Sequence, residues 1–249
     1  MPNFSGISKQ SLIGKLLRAP LRLIPRWAVI PILQGPLRGK KWRLGSGGDG
    51  FWLGSYEFYK QKALQREIKP GDVVYDIGSN AGFYTMLASV MVGDSGHVYS
   101  FEPAPDNVRE LRKHMELNRI KNCTVLPVAV SSTDGEAFFD TTASDRCIGR
   151  IAASGNLRVP MVALDGLIAR KEIRPPNLMK IDIEGAELDL LHGASETIQH
   201  FRPIIFLATH GPEIHSGCIA LLSEWKYRLT TWDGKPPESA DELIAYPGG

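Results

Sequence analysis

Cysteine is scarce in this chain of 249 residues: Cys123, Cys147 and Cys218 are widely spaced and odd in number. That argues against a disulfide-stapled secreted fold. No C-x-x-C and no Cys/His ligand spacing appears, and reduced structural thiols in a cytoplasmic protein are expected. No apolar run reaches the roughly 18 residues of a membrane span. The longest early stretch, Trp27 to Leu33, is short, is broken by Pro31 and lacks a cleavage site, so no signal peptide is expected. Acidic residues are missing up to Arg43, where Lys9, Lys15, Arg18, Arg22, Arg26, Arg38, Lys40, Lys41 and Arg43 make nine basic ones. Of 29 basic residues the remainder therefore keeps 20, against 27 acids. A basic core built for nucleic acid is excluded, and no nucleic-acid partner is expected.

The length and a 43% hydrophobic composition support one α/β domain with an N-terminal extension. The division expected is a basic arm over 1–50 and the main domain over 51–249. Within residues 1–26, Leu12, Ile13, Leu16, Leu17, Leu21 and Leu23 alternate with Lys15, Arg18 and Arg22. Such a segment suits either peripheral contact with an anionic membrane surface or packing against a protein face. Pro20 and Pro25 limit it to short helical pieces.

The most informative stretch is Val73-Val74-Tyr75-Asp76-Ile77-Gly78-Ser79-Asn80-Ala81-Gly82. It reads as a buried strand carrying an acid at its end, a glycine turn, and a helix from about 82 to 92. Gly78 allows a positive φ, and Gly82 is expected to bring the helix close to the sheet. Exposed amides in the turn, backed by the helix N-terminus, suit a carboxylate or phosphate. A dinucleotide fingerprint fails here, because Asn80 and Phe83 stand where its second and third glycines belong. An acid followed by G-x-N-x-G suits S-adenosylmethionine (SAM), which carries cationic groups and one carboxylate.

The literal G-x-G-x-x-G at Gly45 to Gly50 is a decoy, read as a hairpin loop. A helix over 55–68 with Ser55 as N-cap should follow. His97 to Glu102 reads as the second strand, and Glu102 lies 24 positions beyond Gly78, close to the offset at which a carboxylate meets ribose hydroxyls. A helix over 103–119, a third strand over 124–130, and strands over 135–140 and 158–164 around a polar loop come next. Asn177 to Glu187 repeats the pattern of strand, acid and glycine turn, which can place Lys180, Asp182 and Glu184 on one face. Pro203 to His210 is a further strand. A helix over 212–225 and a strand pair near 227–231 and 242–246, at the sheet's edge, finish a doubly wound sheet.

Taken together, Val74 to Thr85, Phe101-Glu102-Pro103 and Lys180 to Glu187 resemble the FkbM family of SAM-dependent methyltransferases. Gly54-Ser55-Tyr56-Glu57 and Arg202-Pro203-Ile204-Ile205 fit the same pattern, so the resemblance runs from about residue 50 onward. It implies a class I methyltransferase (Rossmann-like) fold, a doubly wound seven-stranded sheet with one antiparallel strand. It implies that Asp76, Gly78, Ser79, Asn80 and Gly82 line the methionine part of SAM. Glu102 and Pro103 would meet the ribose, and Ala129 and Val130 the adenine. It also implies O-methylation of a hydroxyl on a sugar, glycolipid or polyketide-type acceptor, whether free, glycan-borne or lipid-linked. The alternatives are N-methylation of another substrate class, disfavoured because the Asn/Asp-Pro-Pro-aromatic motif is absent, and a SAM-binding module without catalysis.

Asp182, Glu184 and His210 are expected to converge at the carboxyl ends of neighbouring strands, facing the methyl of SAM. A neutral His210 can take the proton of the acceptor hydroxyl. The carboxylates can orient that hydroxyl or hold a divalent metal, magnesium or manganese. Many relatives place a carboxylate where this chain has His210.

Overall fold

Residues 24–47, 49–140, 150–152, 157–232 and 234–248 of the computed structural model are described here. A short antiparallel ribbon, β1 (Val29–Pro31) and β2 (Lys41–Arg43), leads through a turn into α1 (Asp49–Leu53) and α2 (Phe58–Glu67). The helix α1 corrects the hairpin reading of Gly45 to Gly50. Its Phe51 ring lies over Gly47 and fills the space a Cβ would need there, so these glycines serve packing. The cap of α2 also differs: Glu57 takes the cap position with φ 42°, and Ser55 caps nothing. Ser55 is instead buried, its amide bonded to the carbonyl of Gly50.

The main sheet follows from β3 (Val73–Ile77), α3 (Phe83–Val92), β4 (His97–Phe101), α4 (Pro105–Leu117) and β5 (Cys123–Leu126). All five residues of β3 are buried, as expected of a central parallel strand covered on both faces. Tyr75 and Ile77 join one core with Phe101, Leu190 and Leu191, while Val74 joins the other with Val98, Leu87 and Phe206. Gly82, at φ 89°, sits against Leu111 of α4, so its missing side chain serves helix–helix contact and not the sheet.

The expected third strand divides at Pro127-Val128. β6 (Ala129–Val130) leaves the main sheet and joins β7 (Gly135–Asp140), β8 (Arg150–Ala152) and β9 (Leu157–Val162) in a four-stranded sheet. Pro127 has no N–H to donate to a ladder, which favours the break. Residues 141–149 and 153–156 of the expected polar loop, and Cys147, lie outside the described residues. Cys123 and Cys218 are free thiols, each pushed up to about 12 chiefly by burial.

The chain continues with α5 (Leu164–Ala169), β10 (Leu178–Ile181), α6 (Glu187–Gly193), α7 (Ser195–Phe201), β11 (Ile204–Ala208), α8 (Pro212–Glu224), β12 (Tyr227–Thr230) and β13 (Glu242–Pro247). The seven-stranded order is β12-β13-β11-β10-β3-β4-β5, with β13 antiparallel to both neighbours. The closing pair is therefore not wholly at the edge. Only β12 is peripheral, and β13 is interior.

Part of the expected 1–50 arm is built into the domain. Ile32, Leu37 and Trp42 are almost fully buried in the second core. Trp42 stacks on the His114 ring at 3.8 Å between centroids. His114 donates from Nδ1 to the carbonyl of Ala81 at 2.8 Å and accepts the Arg43 amide at Nε2 at 3.1 Å. One buried imidazole thus joins the N-terminal ribbon to the glycine turn.

Candidate active site

Parallel strands β3, β10 and β11 end together, and the turns that follow them meet. Gly78 adopts φ 76°, and a Cβ there would collide with the carbonyl oxygen of Asp182. Only glycine lets the two turns approach so closely.

The turn amides are not bare. The Gly78 and Ser79 amides bond the Phe101 carbonyl at 3.0 and 3.1 Å, and Asn80 bonds the Glu102 carboxylate at 2.7 Å. Ala81 bonds the side chain of Asn80, and Gly82 the carbonyl of Ser79. The expectation of free donors fails because a tight turn with φ > 0 at Gly78 and Asn80 folds its own N–H groups inward. Ser79 Oγ is also committed, to the Phe101 carbonyl.

Asp76 does not face the open side either. It lies level with Lys180 and Ser100 on the flanking strands and is 1% exposed. It accepts Thr85 Oγ1 at 2.6 Å and has Lys180 Nζ at 3.5 Å. Glu102, at the end of β4, accepts from the amides of Asn80 and Ala104 and from Asn107 Nδ2. Burial nevertheless holds its carboxyl above the usual range. A carboxylate has about four acceptor sites, so three are used and one remains for a hydroxyl. Pro103 is half-buried beside it. Ala129 and Val130 are buried, and Ala129 packs with Ala104 and Val159, which sets it next to the Glu102-Pro103 corner.

The three expected catalytic residues do converge. His210 Nε2 lies 3.4 Å from Glu184 Oε2 and 3.8 Å from Asp182 Oδ1. Glu184 is held at φ 55° in the turn after β10. Glu187 closes the matching stretch but was not among the expected site residues. It is fully buried at the start of α6, where it accepts His210 Nδ1 at 2.8 Å and the Gly185 amide at 3.0 Å. The His210 pKa is raised, first by the hydrogen bond to Glu187 and then by the charges of Glu184 and Asp182 against an opposing effect of burial. The imidazole therefore holds its proton more firmly than a free one. Burial pushes the Asp182 carboxyl up, but Lys180, Lys60 and His210 together hold it below its ordinary range.

Lys60 was not among the residues legible in the sequence. It is 4% exposed on α2, with its Nζ at 2.6 Å from Glu242 and 2.7 Å from Glu57, and 3.9 Å from Asp182. Glu57 also accepts the Tyr84 hydroxyl at 2.7 Å. Lys180 Nζ donates to the Gly78 carbonyl at 3.1 Å and lies 3.7 Å from Asp182. A network of buried or half-buried charge therefore runs from α2 through β3 and β10 to β11. Only Tyr56-Glu57, within the upstream matching stretch, hinted at its far end.

A glycine turn after the first parallel strand, an acid closing the second, and a charged cluster after the fourth and fifth define a class I methyltransferase. The chain belongs, more narrowly, to the methyltransferase FkbM family, whose domain matches residues 76–229. It is 28% identical to the hexuronic acid methyltransferase AglP of Haloferax volcanii over 63% of this chain and 61% of that protein. It is 26% identical to the 31-O-demethyl-FK506 methyltransferase FkbM of Streptomyces tacrolimicus over 52% of this chain and 62% of that one. For the 2-O-methyltransferase NoeI of Sinorhizobium fredii the figures are 26%, 61% and 69%. The matched region thus spans about three fifths of the first two of these proteins.

Proposed function

We propose that this protein transfers the methyl group of SAM to a hydroxyl of a carbohydrate-type acceptor, with His210 taking the hydroxyl proton. The observation that carries this reading is the buried Glu187 carboxylate holding His210 Nδ1 at 2.8 Å. A carboxylate on one ring nitrogen fixes the tautomer and leaves Nε2 as the basic atom. Nε2 is then on the side of Asp182 and Glu184, whose oxygens can orient the hydroxyl before attack. Methyl transfer is an in-line displacement at carbon: the acceptor oxygen bonds the methyl, the carbon–sulfur bond breaks, and neutral S-adenosylhomocysteine leaves. The protein supplies alignment and a place for one proton. The hexuronic acid in the name of one relative supports a sugar acceptor, and the O-methyl positions in the names of the other two support a hydroxyl as the group methylated.

A second reading has its own observation. Asp182, Glu184 and His210 each offer a ligand atom, all within 4.8 Å of one another. One imidazole and two carboxylates suit manganese or a related divalent cation, which would polarise the acceptor hydroxyl. Turnover lost with chelator and restored by manganese or magnesium supports that reading. Turnover indifferent to chelator supports His210 alone.

Calorimetry tests the cofactor. SAM and S-adenosylhomocysteine are expected to bind and NAD is not. Glu102→Ala should weaken SAM by about 1.5–3 kcal/mol for each ribose hydrogen bond lost to a charged acceptor. Unchanged affinity in that variant removes Glu102 from the site, and NAD binding tighter than SAM overturns the cofactor assignment. The acceptor is then read by mass spectrometry, with labelled methyl and a panel of hexuronic acids, neutral sugars and a polyketide alcohol.

A further inference from the structure

Exposed apolar side chains are concentrated on and immediately beside β1. Trp27 is 72% exposed, Leu33 52% and Val29 42%, and Pro31 is exposed between the last two. These four alternate with Ala28, Ile30 and Ile32, which turn inward, and Ile32 is only 1% exposed. Within β1 the period of two puts Val29 and Pro31 on one face of the ribbon, and Trp27 in the turn before the strand and Leu33 just after it are exposed beside them. In the register of β1 and β2, Lys41 lies opposite Pro31 and Arg43 opposite Val29 on that face.

Cations flank this ridge. Arg26, Arg38 and Lys41 are exposed, and no carboxylate lies within ion-pair distance of them among the described residues. Arg43 is the exception, paired with Glu110 at 2.9 Å. The preceding residues 1–23 add Lys9, Lys15, Arg18 and Arg22 and no acid.

We propose that the outer face of the β1–β2 ribbon, led by Trp27 and Leu33, docks this protein on a bilayer rich in anionic lipids. A large apolar ridge with an indole at its end suits the interfacial zone, where an aromatic ring keeps its N–H wet. Unpaired cations beside it suit lipid phosphates and contribute through the surface potential. A second copy of the chain would bring the same cations face to face, which counts against self-association as the use of this face. The ribbon is also fixed to the domain through Trp42 and His114, so docking would set the orientation of the site relative to the surface. No helix among the described residues is long and apolar enough to cross a membrane, so the contact would be peripheral.

The test uses the full chain with vesicles of phosphatidylcholine alone and with added phosphatidylglycerol. Co-sedimentation is expected with the anionic vesicles, to fall at high salt, and to drop about tenfold for each of Trp27 and Leu33 replaced by serine. Phe201→Ser, which removes an exposed ring elsewhere, should bind like the parent. Tryptophan emission should shift to the blue on binding, and Trp27→Phe should abolish the shift while keeping most of the binding. Equal sedimentation with both vesicle types, or a Trp27→Ser/Leu33→Ser double variant that binds like the parent, overturns the proposal. So does a parent that dimerises without vesicles while the double variant stays monomeric. Methyl transfer to a soluble acceptor should be untouched in the double variant, which separates this inference from the assigned chemistry.

Discussion

Turnover of the His210→Ala variant is expected to fall by about 10²–10⁴-fold, the range a positioned proton acceptor contributes, while SAM affinity stays near the parent's. The base must be neutral to accept a proton. The His210 pKa is raised above 6.5 by Glu187 first and by Glu184 and Asp182 after it. The rate should therefore climb as pH rises through a midpoint above that value. Glu187→Gln removes the largest raising cause and should move this midpoint down while lowering the plateau, because the ring loses its fixed tautomer. Linkage gives the opposite trend for stability. A histidine whose folded pKa is raised stabilises the fold below its unfolded pKa, and that contribution is lost as pH rises through the folded one. The form competent as a base is thus the less stable form, a pattern common to functional sites. A pH–rate profile with no histidine-like limb, or a His210→Ala enzyme with parental turnover, removes His210 from the chemistry.

The Lys60→Met substitution is expected to cost about 3–5 kcal/mol of stability, the usual cost of deleting one member of a buried ion pair. For a domain of this size that is a fall in Tm on the order of 10 °C. Methionine keeps the length of the stem, so little packing is lost. What remains is Glu57 and Glu242, with oxygens 2.7 and 2.6 Å from the vacated charge. Burial opposes a charged Lys60, but Glu57, Glu242 and Asp182 outweigh it and raise the pKa. Its contribution is therefore present throughout the neutral range and is lost only at strongly alkaline pH. Burial already pushes the Glu242 carboxyl up, and Lys60 holds it back. In the variant both glutamates should take up protons more readily, so the deficit should be smaller near pH 5 than near pH 8. Thermal melts at the two pH values check this; an equal deficit at both would mean that the loss is one of packing and not of charge.

The parts legible in the sequence share a local cause. Val73 to Ile77, Gly78 and Phe83 to Val92 announce themselves through apolar runs, a turn glycine and a change of period within twenty residues. The meeting of Asp182, Glu184 and His210 was readable because each follows a strand, and strands of a parallel sheet end on one side. Lys60 and Glu242 were not readable, because they stand 182 positions apart and nothing near either signals burial. The commitments of the turn amides were hidden for a related reason. A glycine pattern shows that a turn is tight, but not that Phe101 and Glu102 on the next strand will absorb its donors. Ala129 and Val130 look like the end of the third strand in any apolar count, and only Pro127 marked the break.

The interior position of β13 also bears on the order in which the chain can fold. It is the last described strand, yet it fills the gap between β11 and β12 and brings Glu242 to Lys60 and the Asp241 carbonyl to the Thr209 amide. Until it arrives, the apolar edge of β11 at Ile205 and Leu207 is open, the kind of edge on which partly made chains aggregate. Lys60 would meanwhile lack one of its two closest carboxylates. The cluster beneath the turn after β10 is therefore completed by the last described strand, and the β11 amides that face β13 should gain exchange protection in the same kinetic step as β13 itself.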